Sequence, residues 1–171
     1  MKLALPDLRV GTGVDAHRFA DGRRLMLGGV EIPHARGLAG DSDADALLHA
    51  VADALLGAAG LGDLGVHFPP GATSSIGLAR IELDSAKIVT EVLAKITRDR
   101  WEIQNVDATV IAQVPKLSPH LSKMKESIAA LLSLPADRVN VKAKSTDRLG
   151  FLGREEGVAA LATVLLARER A

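Results

Sequence analysis

The sequence of 171 residues contains no cysteine, and aromatic residues make up only 2% of it. Without cysteine the chain can form neither a disulfide nor a thiolate metal site, so a bound metal must use histidine and carboxylate ligands. With so few aromatic rings, the core must be built from alanine, valine, leucine and isoleucine. The hydrophobic fraction of 47% is sufficient for such a core in one domain.

The sequence also lacks net charge, because 21 basic residues are balanced by 21 acidic ones. This balance removes the electrostatic argument for a nucleic-acid partner. No apolar run reaches the roughly 20 residues that span a bilayer, and residues 1–10 lack the apolar segment of a signal peptide. We therefore expect one cytoplasmic domain over residues 1–171, with no nucleic-acid and no membrane partner.

Hydrophobic periodicity predicts alternating strands and helices, which indicates one α/β (α+β) domain. The predicted elements are strands at 8–14, 106–112 and 139–143, a hairpin at 23–32, helices from about residue 43, at 85–98 and at 120–133, and a loop at 69–76. Gly57 and the run 60–65 should end the first helix. Gly11 and Gly13 indicate a close backbone approach or a bend in the first strand. The alanine-rich run 158–166 fits either a helix or a strand.

Asp15 and His17 lie at the end of the first predicted strand. Residues i and i+2 of a strand point to the same face, so this carboxylate and this imidazole lie side by side. His49 of the first helix could join them and complete three ligands for Zn²⁺ or a similar divalent ion. Asp45 and Asp53, four residues to either side, are candidate partners for the outer nitrogen of His49. Spacing alone leaves an alternative to a metal site, in which Asp15 and His17 form an ordinary strand motif and His49 is a structural histidine of the helix.

A second polar cluster, residues 144–147 (KSTD), follows a predicted strand and precedes the glycine-rich segment 149–157. Its hydroxyls and carboxylate, with the arginine of the glycine-rich segment, suit phosphates that carry Mg²⁺. A capped turn with solvated charges is the alternative. We interpret His34, His67 and His120 as surface or loop histidines.

Four segments in order make the chain similar to a known family. They are GTGVDAHRF (11–19), GDSDADALLHAVADALLGAAGLGDLG (40–65), NVDATVIAQVPKLSPH (105–120) and VNVKAKSTDRLGFLGREEG (139–157). Together they resemble the 2-C-methyl-D-erythritol 2,4-cyclodiphosphate synthases of the non-mevalonate isoprenoid pathway. The resemblance implies a lyase that converts 4-diphosphocytidyl-2-C-methyl-D-erythritol 2-phosphate to the cyclic diphosphate. The 2-phosphate would attack the β-phosphate, and CMP would leave.

The resemblance also implies an architecture and an assembly. The fold would be a single-domain two-layer sandwich, with a ferredoxin-like sheet and helices on one face, and three copies would form a homotrimer with active sites between neighbours. Asp15, His17 and His49 would hold Zn²⁺ or another divalent ion. Asp147 would hold Mg²⁺ or Mn²⁺ together with the substrate diphosphate. A cavity on the trimer axis would take an isoprenoid diphosphate.

The same resemblance assigns residues to the CDP-linked substrate and to the axial cavity. Ser42 would contact a phosphate, Thr146 the diphosphate, and Asp63 and Gly65 the ribose. The cytidine pocket would be lined by Ala112, Pro115, Lys116 and Leu117, and the axial cavity by Phe151 and Arg154. Phe68 and Lys144 are further predicted binding residues. The predicted catalytic residues are Asp41, Ser145 and Thr146.

Three segments depart from the family pattern. Asp41 replaces a histidine, residues 144–147 replace a T-T-T-E run, and residues 68–72 (FPPGA) replace F-P-D-T-D. An ionised aspartate accepts hydrogen bonds but donates none, so Asp41 should either turn toward the helix start or be compensated by Lys144. Two alternatives follow from these departures: a catalytically weakened trimer that binds metal and isoprenoid diphosphate, and a metal-dependent CDP-alcohol hydrolase that uses water.

Overall fold

The computed structural model describes residues 6–69 and 84–169. The strands are β1 (Asp7–Ala20), β2 (Leu25–Leu27), β3 (Val30–Ile32), β4 (Gly37–Leu38), β5 (Glu102–Ile111), β6 (Val139–Lys144) and β7 (Gly157–Arg168). The helices are α1 (Ala46–Ala59), α2 (Leu64–His67), α3 (Ser85–Arg98), α4 (Leu121–Leu131) and α5 (Gly150–Gly153). Within the described residues, 3-10 turns occupy Ser118–His120 and Ala136–Arg138.

Five strands form one mixed sheet in the order β4-β1-β7-β5-β6, and β2 and β3 form a separate hairpin. β7 runs antiparallel to both β1 and β5, whereas β5 and β6 are parallel. α1 packs on β1 and β7, α4 packs on β6, and α3 packs against α1. The helices thus form one layer and the sheet the other, which confirms the predicted α/β sandwich.

Local sequence patterns located most elements correctly but misjudged several ends. α3 spans the predicted 85–98, and the undecided run 158–166 belongs to strand β7. The prediction that the run 60–65 ends α1 is confirmed, because Gly60 with φ of 76° terminates the helix, but the prediction that Gly57 does so is wrong, because the helix continues to Ala59. A glycine with positive φ is the usual stop of a helix, whereas Gly57 lies within the last turn. The short helices α2 and α5 were not predicted.

The glycines of β1 allow α1 to pack directly on the strand backbone. A Cβ added at Gly11 would lie 2.1 Å from the carbonyl oxygen of Ala54, and one at Gly13 would lie 2.1 Å from that of Ala50. No side chain fits at such distances, so the predicted close approach is confirmed. The contact places the second half of β1 beside the first turns of α1.

Asp45 fixes the N-terminus of α1 against the β2–β3 hairpin. Its carboxylate accepts hydrogen bonds from the backbone N–H groups of Leu47 and Leu48 in α1, and from those of Gly28 and Gly29 in the hairpin turn, at 2.7–3.1 Å. Complete burial raises the pKa of Asp45, and the backbone N–H groups oppose this rise. One side chain therefore caps the helix and anchors the turn.

The predicted loop 69–76 lies, beyond residue 69, outside the described residues, and so does most of the altered segment 68–72. Among the helices of residues 6–69 and 84–169, none combines the length and apolar character that a membrane crossing requires.

Candidate metal centre and substrate pocket

Asp15, His17 and His49 converge between the end of β1 and the first turn of α1. Asp15 Oδ2 lies 2.9 Å from His17 Nε2 and 2.9 Å from His49 Nδ1, and the two nitrogens are 3.2 Å apart. The i, i+2 spacing in β1 sets the first two side chains on one face, as predicted. His49 is buried, whereas Asp15 and His17 are partly exposed. The three ligand atoms form a group that could hold a divalent ion.

The hydrogen bonds of His17 indicate which of its ring nitrogens can bind a cation. Its Nδ1–H donates to the carbonyl oxygen of Ala39 at 2.7 Å, so the neutral ring presents the lone pair of Nε2 to the Asp15 carboxylate. A lone pair and a carboxylate oxygen at 2.9 Å are satisfied by a cation between them. Such an outer hydrogen bond is the usual device that orients a metal-binding histidine. The donor set therefore fits a divalent ion.

Asp15 carries the negative charge of the centre. Burial acts to raise the pKa of its carboxyl group, but the imidazoles of His17 and His49, which in their protonated forms donate hydrogen bonds to the carboxylate and carry positive charge, outweigh burial. The pKa of Asp15 is therefore held below its ordinary value. The carboxylate stays ionised at neutral pH, as a metal ligand must.

The prediction that Asp45 or Asp53 holds the outer nitrogen of His49 is wrong. Asp45 is occupied as the cap of α1, and Asp53 accepts a hydrogen bond from the backbone N–H of Leu64 at 2.7 Å. Both carboxylates stabilise backbone turns instead. The outer nitrogen Nε2 of His49 lies 2.9 Å from Ser85 Oγ, at the start of α3.

The loop before α1 places Asp41 and Ser42 near the metal centre. Ser42 is buried, with Oγ 3.4 Å from Nε2 of His49, whereas Asp41 is exposed. The guanidinium of Arg23 donates to the carbonyl oxygens of Gly40 and Ser42. Arg23 thus holds the loop on both sides of Asp41 and brings positive charge to it. The N-cap of the helix is Asp45, four residues after Asp41.

A pocket of about 240 Å³ lies where β5 and β6 end side by side. Ile111 pairs with Lys144, and the N–H of Ala112 donates to the carbonyl of Lys144 at 2.9 Å. Five predicted binding residues line the pocket: Ala112, Pro115, Lys116, Leu117 and Lys144. The pocket therefore has an apolar wall and two lysines.

Ser145, Thr146 and Asp147 continue from this pocket into a tight turn. Ser145 Oγ donates to Asp147 Oδ1 at 3.4 Å, and Thr146 Oγ1 donates to the carbonyl of Leu149 at 2.8 Å. Asp147 has φ of 51°, in the left-handed region that aspartate tolerates better than most residues. The turn leaves the Asp147 carboxylate exposed.

One chain does not bring the metal centre and the 144–147 turn together. Asp15 pairs with Ala160 of β7, and Lys144 pairs with Ile111 of β5, so both clusters lie at the same end of the sheet. The strands β7 and β5 lie between them. Three strand spacings amount to roughly 14 Å.

The remaining predicted residues lie in three separate environments. Asp63 caps α2 by accepting the N–H of Val66 at 2.9 Å, and Gly65 lies within that helix. Phe68 is only 4% exposed and packs in the core, a position that favours packing over substrate contact. Its predicted contact with substrate stays a prediction.

Phe151 and Arg154 belong to α5 and its C-terminal cap. Phe151 is 50% exposed, and Arg154 Nε donates to Glu156 Oε1 at 2.6 Å. The pair offers an apolar ring beside an exposed cation.

Residues 8–167 match the family model described as the YgbB family. The chain belongs to the YgbB family. The match covers both the metal centre and the β5–β6 pocket.

Individual YgbB-family relatives are similar over nearly the whole chain. A protein of Paraburkholderia phymatum named 2-C-methyl-D-erythritol 2,4-cyclodiphosphate synthase is 55% identical over 162 residues, which are 95% of this chain and 99% of that protein. A CDP-bound structure of a 2C-methyl-D-erythritol-2,4-cyclodiphosphate synthase is 34% identical, with a TM-score of 0.82 over 92% of this chain and 99% of that one. The bifunctional IspDF of Campylobacter jejuni gives 38% identity and a TM-score of 0.88 over 96% of this chain, but this chain covers only 43% of it.

Sequence reasoning missed Ser85, Asp43 and Arg23. Ser85 lies 36 residues after His49, and no local pattern connects the two positions. The only available signal was Asp84-Ser85 at the start of a predicted helix, which suggests capping rather than a contact with an imidazole. Arg23 lies in the turn before β2, where an arginine gives no particular signal in sequence.

Proposed function

We propose that this chain is a 2-C-methyl-D-erythritol 2,4-cyclodiphosphate synthase. The observation that carries the proposal is the convergence of Asp15, His17 and His49 into a group that could hold a divalent ion. The chain that forms this group is 55% identical to a protein of that name. In the reaction, a 2-phosphate oxygen forms a bond to the β-phosphorus of the CDP-linked substrate. The bond from the β-phosphorus to the oxygen that bridges to the α-phosphate breaks, and CMP leaves with that oxygen.

The chain's own residues bind and fold the substrate, which brings the two phosphates together. Asp63 and Gly65 hold the ribose, and the β5–β6 pocket with Ala112, Pro115, Lys116 and Leu117 takes the cytidine. Ser42, Asp41, Ser145 and Thr146 face the phosphates, whereas Phe68 packs in the core. Asp15, His17 and His49 would hold Zn²⁺ or another divalent ion, and Asp147 would hold Mg²⁺ or Mn²⁺ together with the substrate diphosphate. Both ions would supply positive charge beside the phosphates.

A product assay tests the proposed function. Purified protein is incubated with 4-diphosphocytidyl-2-C-methyl-D-erythritol 2-phosphate, Zn²⁺ and Mg²⁺, and the phosphorus products are identified by NMR. We expect CMP and the cyclic diphosphate. CMP with an open diphosphate would instead identify a hydrolase. Unchanged substrate would indicate a protein that binds ligands but does not catalyse the reaction.

We further infer that three copies assemble into a homotrimer. The sheet face opposite α1 exposes Leu8, Val10 and Val14 of β1 and Leu161 of β7, with Val10 67% exposed. Such a contiguous apolar face is typical of an interface. Assembly would bring the metal centre of one copy to the 144–147 turn of the next, which one chain keeps apart.

We predict that light scattering at micromolar concentration returns the mass of three chains. Val10→Asp places a charge on the apolar sheet face and should shift the mass toward one chain, because an unpaired buried charge is costly. Val66→Asp is the matched control, since Val66 is equally exposed but lies on α2. A wild-type protein that measures as a monomer would remove the shared-site arrangement.

We also infer that Phe151 and Arg154 border an axial cavity for an isoprenoid diphosphate. The exposed ring of Phe151 suits an isoprenoid chain, and the Arg154 guanidinium suits a diphosphate. Arg154 is paired with Glu156, so a bound diphosphate would have to share this guanidinium with the carboxylate.

We predict that Lys144 binds a substrate phosphate and compensates for the aspartate at position 41. Lys144→Ala should lower turnover by about tenfold, or 1.4 kcal/mol, and Asp41→His should restore part of that loss in the Lys144→Ala background. Lys123→Ala is the control, because Lys123 is an exposed lysine of α4 that does not line the pocket. A silent Lys144→Ala would end the compensation hypothesis.

A further inference from the structure

The outer nitrogen of His49 lies in a buried polar contact that the proposed reaction does not use. Nε2 lies 2.9 Å from the hydroxyl of Ser85, which is fully buried, and 3.4 Å from that of Ser42. Ser85 is therefore the closer partner. It reaches His49 from α3, an element far from α1 in sequence.

Hydrogen bonds around Ser85 define where its proton lies. The Ser85 hydroxyl is in hydrogen-bond contact with the Asp43 carboxylate, and the Ser85 backbone N–H donates to the same oxygen at 3.1 Å. A carboxylate only accepts, so the single hydroxyl proton of Ser85 points to Asp43. The Ser85 oxygen can then only accept from His49, and Nε2 must carry a proton. The other nitrogen, Nδ1, consequently presents its lone pair to Asp15 and His17.

The Ser85 side chain is not needed to cap its own helix. The N-cap of α3 is Asp84, whose carboxylate accepts the N–H of Lys87 at 2.8 Å. The hydroxyl of Ser85 instead contacts His49 and Asp43. This arrangement differs from the usual role of a serine at a helix start.

We propose that Ser85, backed by Asp43, is a positioning residue that holds His49 in the tautomer that binds the ion. The inference rests on the metal part of the proposed function. It joins the start of α3 and the loop before α1 to the metal centre. Outer partners of metal-binding histidines typically contribute about 10- to 100-fold to metal affinity.

The test measures Zn²⁺ affinity by competition with a chromogenic chelator on the full-length protein. Ser85→Ala should weaken binding by about 10- to 100-fold, whereas Ser85→Thr, which keeps the hydroxyl, should bind nearly as well as wild type. Ser122→Ala is the control, because the Ser122 hydroxyl donates to Glu126 on the surface of α4. Thermal unfolding of the metal-free variants checks that each one folds.

Two further readouts separate positioning from a general structural role. Because Asp43 acts through Ser85, Ser85→Ala combined with Asp43→Ala should lose no more affinity than Ser85→Ala alone. In ¹⁵N NMR of histidine-labelled wild type without metal, His49 should carry its proton on Nε2, and in Ser85→Ala it should populate both tautomers. Three results would each overturn the proposal: unchanged Zn²⁺ affinity in Ser85→Ala, a larger loss of affinity in the double variant than in Ser85→Ala alone, or a wild-type His49 that carries its proton on Nδ1. A wild type that binds Zn²⁺ without forming the cyclic diphosphate would refute the proposed function and leave this test intact.

Discussion

Replacing His49 with alanine is expected to remove the bound divalent ion and to lower turnover by about a thousandfold or more. A catalytic ion contributes several kcal/mol of charge stabilisation, and about 4 kcal/mol corresponds to a factor of a thousand. His49 supplies one of the three candidate ligands found in the described part of the chain, and its Nδ1 lies within 3.2 Å of both other ligand atoms. Asp15 and His17 alone would hold an ion weakly.

The measurement combines elemental analysis of the purified variant with steady-state kinetics on the CDP-linked substrate. His120→Ala is the matched control, because His120 ends a 3-10 turn outside the metal centre. That variant should keep both metal and activity. Full metal content in His49→Ala, with undiminished turnover, would refute the assignment of the centre. Circular dichroism of both variants distinguishes lost ligation from lost folding.

The sequence predicted those features of the metal centre that follow from the local geometry of a strand or a helix. Asp15 and His17 share a face because strands alternate, and α3 was located because its apolar residues recur at helical spacing. The convergence of His49 with them rests on packing between β1 and α1, which spacing alone left open. The resemblance to a family, not the periodicity, decided between a ligand and a structural histidine.

The errors have physical causes that lie outside local sequence. Asp45 and Asp53 have suitable helical spacing to His49, but backbone N–H groups of the hairpin turn and of α2 bind their carboxylates first. Ser85 gave no local signal, because tertiary packing alone brings α3 to the site. The strand β7 was ambiguous because alanine-rich runs fit a helix and a buried strand equally.

Gly13→Ala is expected to lower the free energy of unfolding by about 3 kcal/mol or more, at the upper end of the range for overpacked cores. The new Cβ would lie 2.1 Å from the carbonyl oxygen of Ala50 and 2.5 Å from the backbone nitrogen of Ala54. Both are backbone atoms of α1, so no side chain can rotate away, and the helix must move from the strand. His49 precedes Ala50, and Asp15 follows Gly13 by two residues. The same displacement should therefore lengthen the 2.9 Å contact between His49 and Asp15 and weaken Zn²⁺ binding.

Gly57→Ala is the matched control for Gly13→Ala. Gly57 lies on α1, the helix that packs against Gly13 of β1. Its nearest neighbour outside the helix backbone is the carbonyl oxygen of Thr12, 4.0 Å from the added Cβ, so the methyl group fits. Alanine is favoured over glycine in a helix by about 1 kcal/mol, and Gly57→Ala should raise the free energy of unfolding by up to that amount. Urea titrations and Zn²⁺ competition on both variants check the pair. If Gly13→Ala matched Gly57→Ala in stability and in Zn²⁺ affinity, the direct packing of α1 on β1 would not be what holds His49 beside Asp15.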